Sequence, residues 1–175
     1  MSVHQQTPSS VAIRESTPAD IPGIMRLKFE LAVCDDIPFT VRAGPADWHR
    51  DGYGPDAHFT IFVADAANRI VGMAICAERF FPGWVGPTIA LLDLCVEANC
   101  RNRGIGTALL ARVAQFARAR SSVMIELTMR AGNRAGALYE RVGYVNVTDA
   151  RNYVLAGDAL DRLAGSASPL VRRTG

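Results

Sequence analysis

The spacing of apolar residues predicts alternating helices and strands. Residues 104–120 carry apolar side chains every three or four positions, with arginines opposite, which is typical of an amphipathic helix. Apolar runs at 59–64, 70–77 and 88–97 are of β type, and the middle of the last is apolar on both faces, as in a central strand. A further β-type run at 123–129 follows the helix. Together these runs predict a β-α-β crossover within a mixed sheet.

Capping residues and turns predict the remaining elements. Thr17, Pro18 and Asp20 form a helix-start signal, and Gly44-Pro45 opens a second short helix. The predicted additional helices are Thr17 to about Cys34, Gly44 to Gly52, and Asn133 as cap to near Gly143. The predicted additional strands are residues 11–14, 144–147 and 152–155. This order of elements indicates an α/β fold.

Length and composition limit the class of protein. The chain has 175 residues, 49% hydrophobic and 21% charged, as expected for one globular domain, and these values exclude a disordered chain. We expect a single domain at 11–164, with tails at 1–10 and 165–175. The net charge of +2 argues against general nucleic-acid binding. No apolar run is long enough to span a membrane, and no signal peptide is visible, so we expect a cytoplasmic protein without membrane contact.

The cysteines do not predict a metal site or disulfides. The four cysteines (Cys34, Cys76, Cys95 and Cys100) form no C-x-x-C pair and lie near no histidine at zinc-ligand spacing. We therefore expect reduced cysteines and no metal. Lys28 is the only lysine, so arginine supplies the other 18 of the 19 Lys and Arg residues.

The segment 94–108 has the features of an anion-binding loop. A central strand runs into a polar loop, and Gly104 and Gly106 then open the long helix. Glycine allows the backbone to approach a ligand closely, and the first amides of a helix have no partner within it. Arg101 and Arg103 add positive charge beside these amides. The segment therefore predicts a phosphate site at the start of the helix.

Two motifs carry a resemblance to a known family. R-x-x-G-x-G-T-A at 101–108 resembles the acetyl-CoA loop of the GNAT N-acetyltransferases, and L-Y-E-R-V-G-Y at 138–144 resembles a later motif of the same superfamily. The resemblance implies a GNAT-like fold, with a mixed sheet of about six to seven strands and about four helices. It also implies an N-acetyltransferase that uses acetyl-CoA as co-substrate and forms a homodimer.

Other stretches look most like the diamine and polyamine branch (spermidine/spermine-type and thialysine-type). They are residues 50–55, the loop at 84–87 and the strand at 91–96. The chain keeps Asp93 of that strand but has Leu92 where the branch has a glutamate. The resemblance implies a small primary amine as acceptor, either a diamine or polyamine or a lysine-like amine.

The resemblance also implies cofactor-binding residues. The strand end would contact the cofactor through backbone amides near Cys95 and Val96, and the loop would take the pyrophosphate. The expected set is Leu94, Cys95, Val96, Arg101, Asn102, Arg103, Gly104, Ile105, Gly106, Thr107 and Asn133. For Asn133 a helix-capping role is the alternative, because the family asparagine falls at Gly132.

Acetyl transfer needs an acid and a base. Tyr139 is the expected general acid, since a phenol with a pKa of about 10 is protonated at neutral pH; the alternative is a packed helix tyrosine. Asp93 is the first candidate for the general base, and its negative charge would also attract the ammonium group of an acceptor. Glu126 is the second choice, and Glu97 is interpreted as a loop carboxylate. Cys95 is not interpreted as a nucleophile.

The expected acceptor pocket lies between the first helices and the loop before the central strand. Its candidate residues are Glu30, Asp35, Asp36, Trp84 and Asp93, with Phe81 as a further aromatic. A solvated helix end and a packed aromatic loop are the alternatives.

Three other functions compete with this interpretation. A dinucleotide-binding domain would need a third glycine at Leu109, although Glu126 has the spacing of a ribose-binding acid. A non-catalytic acetyl-CoA-binding module would bind the cofactor without turnover. An enzyme acting on a protein N-terminus or an amino-acid-type amine would share the motifs but differ in acceptor.

Overall fold

A mixed sheet organises the chain. The computed structural model describes residues 10–34, 41–80, 86–130, 132–147 and 158–165. Five strands form the sheet in the order β1-β2-β3-β4-β5. They are β1 (Ala12–Glu15), β2 (Thr60–Asp65), β3 (Ile70–Arg79), β4 (Thr88–Val96) and β5 (Met124–Leu127). Neighbouring strands are antiparallel except β4 and β5, which are parallel.

Five α-helices lie among the described residues. They are α1 (Ile21–Cys34), α2 (Pro45–Gly52), α3 (Ile105–Ala119), α4 (Gly136–Arg141) and α5 (Asp158–Gly165). Helix α3 connects the parallel strands β4 and β5, so the expected β-α-β crossover is confirmed. None of the helices in the described ranges has the length and apolar character needed to cross a membrane.

Two apolar cores lie on the two faces of the sheet. Along β2, Ile61 and Val63 belong to one core, whereas Phe62 and Ala64 belong to the other, as the alternation of a strand requires. Helices α1 and α2 cover the first face, where Ile24 and Leu27 are fully buried. Helix α3 covers the second face, with Leu109 and Val113 fully buried. We call these the α1 face and the α3 face.

Contacts divide the chain into two compact units, Met1–Gly143 and Tyr144–Gly175. The first unit contains the sheet and helices α1 to α4, and the second contains α5. The single domain at 11–164 therefore stays a prediction.

The structure differs from the sequence expectations at the carboxyl-terminal side. Residues 144–147 were predicted as a strand, but none is present, and Val145 and Val147 are mostly exposed. Apolar-polar alternation is a local preference that the surrounding structure can override, and residues 144–147 do not belong to the strands of the described sheet. The strand predicted at 152–155 lies outside the described residues. The α/β fold with a mixed sheet is confirmed, with five strands described rather than six to seven.

The start of α1 is fixed by a buried carboxylate. Thr17 caps a 3-10 turn, Pro18–Asp20, that leads into α1, and the Asp20 carboxylate accepts the Thr17 amide at 2.7 Å. Arg14 of β1 donates to both Asp20 oxygens at 2.7 and 2.8 Å. These hydrogen bonds, led by the one from Arg14, lower the pKa of Asp20 from 3.8 to about 2. Asp20 thus ties the helix start to the edge of the sheet.

This contact predicts a pH-dependent contribution to stability. Because the pKa of Asp20 is lower in the folded than in the unfolded chain, its contribution is complete above pH 4 and is lost as the pH falls towards 2. We expect Asp20→Asn to reduce the free energy of unfolding at pH 7 by on the order of 2 kcal/mol. Urea unfolding at a series of pH values measures this. The exposed Asp56→Asn is the control, and an equal loss from both variants would contradict the prediction.

Candidate active site

The parallel strands β4 and β5 separate part-way along β4. Their pairing runs from Thr88 and Met124 to Leu91 and Leu127, where β5 ends. Strand β4 continues to Val96 and stays paired with β3. Residues 92–96 therefore have a strand on one side and an opening, with no paired strand among the described residues, on the other. The backbone groups of β4 on that side are therefore candidates for hydrogen bonds to a ligand.

The register shows which backbone groups face the opening. The Glu97 amide donates to the Val71 carbonyl at 2.9 Å, and Cys95 is paired with Met73. In an antiparallel pair alternate residues bond to the partner strand, so the amide of Cys95 is directed at β3. The amide of Cys95 is thus directed away from the opening, whereas those of Leu94 and Val96 are directed at it.

The side chain of Cys95 lies in the core of the α1 face. Burial raises the pKa of its thiol to about 11. The thiol stays protonated at neutral pH, which agrees with the interpretation that Cys95 is not a nucleophile.

The anion loop follows β4 directly. Gly104, the N-cap of α3, has a left-handed backbone with φ of 81°, a conformation that glycine adopts at little cost. The first amide bonded within the helix is that of Ala108, which donates to Gly104 at 2.9 Å. The amides of residues 105–107 precede it and point out of the helix start. Their combined dipoles favour an anion at this position.

Charged side chains of the loop lie beside these amides. Arg101, Asn102, Arg103 and Thr107 are exposed. The Arg101 Nε donates to the Val96 carbonyl at 2.9 Å, and so attaches the loop to the end of β4. The strand opening and the anion loop are therefore parts of one continuous surface.

Helix α4 packs against the same place. A Cβ atom built on Gly106 would lie 3.1 Å from Leu138 Cδ2 and 4.0 Å from Val96 Cγ2. Glycine at 106 thus allows α4 to approach the end of β4. Tyr139 is half-buried and packs, like Leu94 and Val96, against the core of the α3 face.

Asn133 stabilises the turn before α4. Its side-chain oxygen accepts the amide of Ala135 at 2.9 Å. The N-cap of α4 is Ala135, so Asn133 is not the helix cap that the sequence predicted. The helix begins two residues later because Asn133 closes its own turn first.

Asp93 lies at the start of the opening and faces α1. The register of β3 and β4 shifts between Ile75–Asp93 and Cys76–Leu91, so Leu92 is an extra residue in a bulge. Leu92 is half-exposed, whereas the Asp93 side chain is only 14% exposed. Both Asp93 oxygens accept hydrogen bonds from Lys28 Nζ, at 2.8 and 2.7 Å. The sequence analysis did not predict that Lys28 pairs with Asp93. The one signal in the sequence was that Lys28 is the only lysine.

The other candidate carboxylates also have cationic partners. Glu30 is paired with Arg26 at 2.7 Å, and Glu126 with Arg79 at 3.0 Å. Glu97 is buried and paired with Arg69 and with Arg26. Glu97 thus links α1 to the β2–β3 hairpin, a larger structural role than the loop carboxylate expected from the sequence.

Some expected site residues cannot be placed. Asp35, Asp36, Phe81 and Trp84 lie outside the described residues. Within the described ranges, no cluster of three or more His, Cys, Asp or Glu residues is arranged to hold a metal ion.

The comparisons with known proteins agree with this geometry. Residues 29–144 match the Acetyltransferase (GNAT) family. The chain belongs to the GNAT acetyltransferase family. It is accordingly an acetyl-CoA-dependent N-acetyltransferase, and the family resemblance of the two motifs is confirmed. The opening and the anion loop have the backbone donors that a thioester chain and a pyrophosphate need.

Individual relatives of this acetyltransferase are named for different amines. The thialysine N-epsilon-acetyltransferase of Mus musculus is 26% identical over 169 residues, covering 90% of this chain and 99% of the mouse protein. The spermidine/spermine N(1)-acetyltransferase-like protein 1 of Homo sapiens is 30% identical over 112 residues, 60% of this chain and 16% of that protein. A solved aminoglycoside N-acetyltransferase in complex with CoA shares the fold, with a TM-score of 0.68, 18% identity, and coverage of 83% and 94%.

Gly104 provides a test of the anion loop. We expect Gly104→Val to weaken acetyl-CoA binding at least about tenfold, because valine costs about 1–2 kcal/mol in a left-handed conformation and adds bulk beside the amides. Gly104→Asn should lose less, since asparagine tolerates this conformation. Calorimetric titration with acetyl-CoA measures both.

The matched control is Gly54, which has a φ of 109° and open space around a Cβ atom, like Gly104. Gly54→Val should leave acetyl-CoA affinity unchanged. Unchanged affinity in Gly104→Val would show that the assigned phosphate site is wrong.

Proposed function

We propose that this acetyltransferase transfers the acetyl group from acetyl-CoA directly to a small primary amine in a ternary complex. The amine would be a diamine or polyamine, or a lysine-like amine. The observation that carries the proposal is the opening beside residues 92–96, which is continuous with the anion loop at α3. It allows the thioester to lie along β4 while an amine reaches it from the α1 face.

The backbone of β4 and the loop would hold the co-substrate. The amides of Leu94 and Val96 would bind along its chain and polarise the acetyl oxygen, which stabilises the negative charge that develops there. The segment from Arg101 to Thr107, including Asn102, Arg103, Gly104, Ile105 and Gly106, would bind the pyrophosphate. Asn133 stays a predicted contact, and its bond to Ala135 supports a structural role equally well.

Tyr139 and Asp93 are proposed as acid and base. Tyr139 would donate a proton to the departing thiolate, a role that suits a phenol at neutral pH. Asp93 would attract the acceptor amine and accept its proton. Converting an amine with a pKa of about 10.4 to its neutral form at pH 7 costs about 4–5 kcal/mol, so a carboxylate beside it is useful. Asp93 faces α1 and Tyr139 packs on the α3 face, so the two would act from opposite faces of the sheet.

The relatives support a small amine with an aliphatic stem. The mouse relative is named for thialysine and the human one for spermidine and spermine. Glu30 of α1 is 38% exposed and could contact such an amine, although Arg26 is paired with it. Asp35, Asp36 and Trp84 remain predicted acceptor contacts.

One observation favours a second candidate. The Lys28 ammonium is paired with the Asp93 carboxylate, and Leu92, next to Asp93 in the strand, has an exposed apolar side chain. An acceptor with one reacting amine and no second ammonium, such as an amino-acid-type amine or a protein N-terminus, fits this arrangement. A non-catalytic acetyl-CoA-binding module would need no acceptor.

The first experiment is thiol release from acetyl-CoA across a panel of amines. The panel includes spermidine, short diamines, lysine, thialysine, amino acids, an aminoglycoside and peptides, with a blank lacking amine. We expect release above the blank with at least one small amine. Binding of acetyl-CoA without release from any acceptor would favour the non-catalytic module.

The panel is repeated with Tyr139→Phe. We expect this variant to bind acetyl-CoA normally but to lose turnover by about 10²–10⁴-fold, the usual contribution of a positioned general acid. Unchanged turnover would remove Tyr139 from the mechanism.

Two further proposals concern the state of the protein. We propose a homodimer, from the family resemblance, and a cytoplasmic location, supported by four free cysteines. Light scattering should then give twice the chain mass of 18.9 kDa. A single-chain mass across the concentrations used for catalysis would contradict the dimer.

A further inference from the structure

The ion pair of Lys28 and Asp93 lies where an acceptor amine is expected. Lys28 is on α1, and Asp93 follows the bulged Leu92 at the beginning of the opening. The ammonium contacts both carboxylate oxygens within 2.8 Å, and the Lys28 side chain is 30% exposed. The Asp93 carboxylate beside the opening is therefore already paired with an ammonium group, which the protein itself supplies.

The nearby carboxylates in the described residues do not offer a replacement. Glu30, Glu97 and Glu126 each pair with an arginine. A second ammonium of an acceptor would therefore meet the positive charge of Lys28, and the candidate carboxylates of the described residues are already paired with cations. Leu92, half-exposed beside Asp93, offers an apolar contact instead.

We propose that Lys28 is a specificity-determining residue that selects against acceptors carrying a second positive charge. This inference rests on the proposed transfer to a small amine at the same site. Among the small primary amines proposed above, this residue would favour the second candidate, an amine with a single charge and an apolar stem, over a diamine or polyamine.

The physical basis is competition between like groups. The second ammonium of a diamine would make the same contact with Asp93 as Lys28 does, but Lys28 is held close by the buried turns of α1 at Ile24 and Leu27. A tethered group competes at a high effective concentration, in the millimolar range for short flexible links. A free dication must displace Lys28 or lie against its charge, whereas an uncharged stem does neither.

The test compares two acceptors that differ by one charge, 1,4-diaminobutane and butylamine. Lys28→Met keeps the length and apolar stem of the side chain and removes the charge. We expect the ratio of kcat/KM for diaminobutane to that for butylamine to rise about tenfold or more, mainly through KM for the diamine. Lys28→Arg keeps the charge and should keep the wild-type ratio. Adding Asp93→Asn to Lys28→Met should abolish the gain in diamine affinity.

Binding separates this inference from the proposed function. Calorimetry of diaminobutane with each variant in the presence of CoA should show tighter binding to Lys28→Met, whether or not turnover occurs. Tighter binding without acetylation of any amine would support the role of Lys28 and overturn the proposed reaction. An unchanged ratio and unchanged diamine affinity, in a Lys28→Met variant with wild-type thermal unfolding and acetyl-CoA affinity, would overturn the role of Lys28. If Lys28→Met unfolds early, Lys28→Gln takes its place with the same outcomes.

Discussion

The early end of the β4–β5 pairing determines the rest of the site. Parallel strands normally satisfy each other's backbone groups, and here the pairing stops at Leu91 and Leu127. Strand β4 is kept extended beyond this point by β3, so the amides of Leu94 and Val96 are presented at a fixed spacing. The loop that leaves Val96 then returns its Arg101 side chain to the same strand end. In the proposed binding mode, the early end of this strand pairing would thus position the backbone donors for both ends of the co-substrate.

The two kinds of cation in this chain have different structural roles. Arginine joins carboxylates that hold elements together, as Arg14 does with Asp20 and Asp65, and as Arg26 and Arg69 do with Glu97. The planar guanidinium reaches two partners at once, which suits a permanent junction. The single lysine is paired with Asp93, a carboxylate beside the opening, where the proposed acceptor amine would make the same contact. A compact, strongly hydrated charge on a flexible stem is easier to exchange than a guanidinium held at two points.

Sequence reasoning succeeded where the signal was local. The amphipathic period of α3, the apolar centre of β4 and the glycines between them lie within about thirty consecutive positions, and their physical meaning does not depend on the remainder of the chain. It failed where the answer depended on distant partners. Lys28 and Asp93 are 65 residues apart in sequence. The direction of the Cys95 amide follows from its register with β3, and residues 144–147 have strand-like alternation but are not a strand. Local patterns do not contain this information.

In the proposed mechanism, the two proton transfers take place on opposite faces of the sheet. The acceptor amine would lose its proton on the α1 face, beside Asp93, and the thiolate would gain one on the α3 face, beside Tyr139. The β4 backbone between them would contribute its amides to the thioester, and each side chain of the strand points to only one of the two faces. Because the acid and the base need not exchange a proton with each other, a substitution beside one of them can change its properties without affecting the other. The bulge at Leu92 and the pairing with Lys28 can then alter acceptor choice while the contacts of the co-substrate with α3 and α4 stay the same.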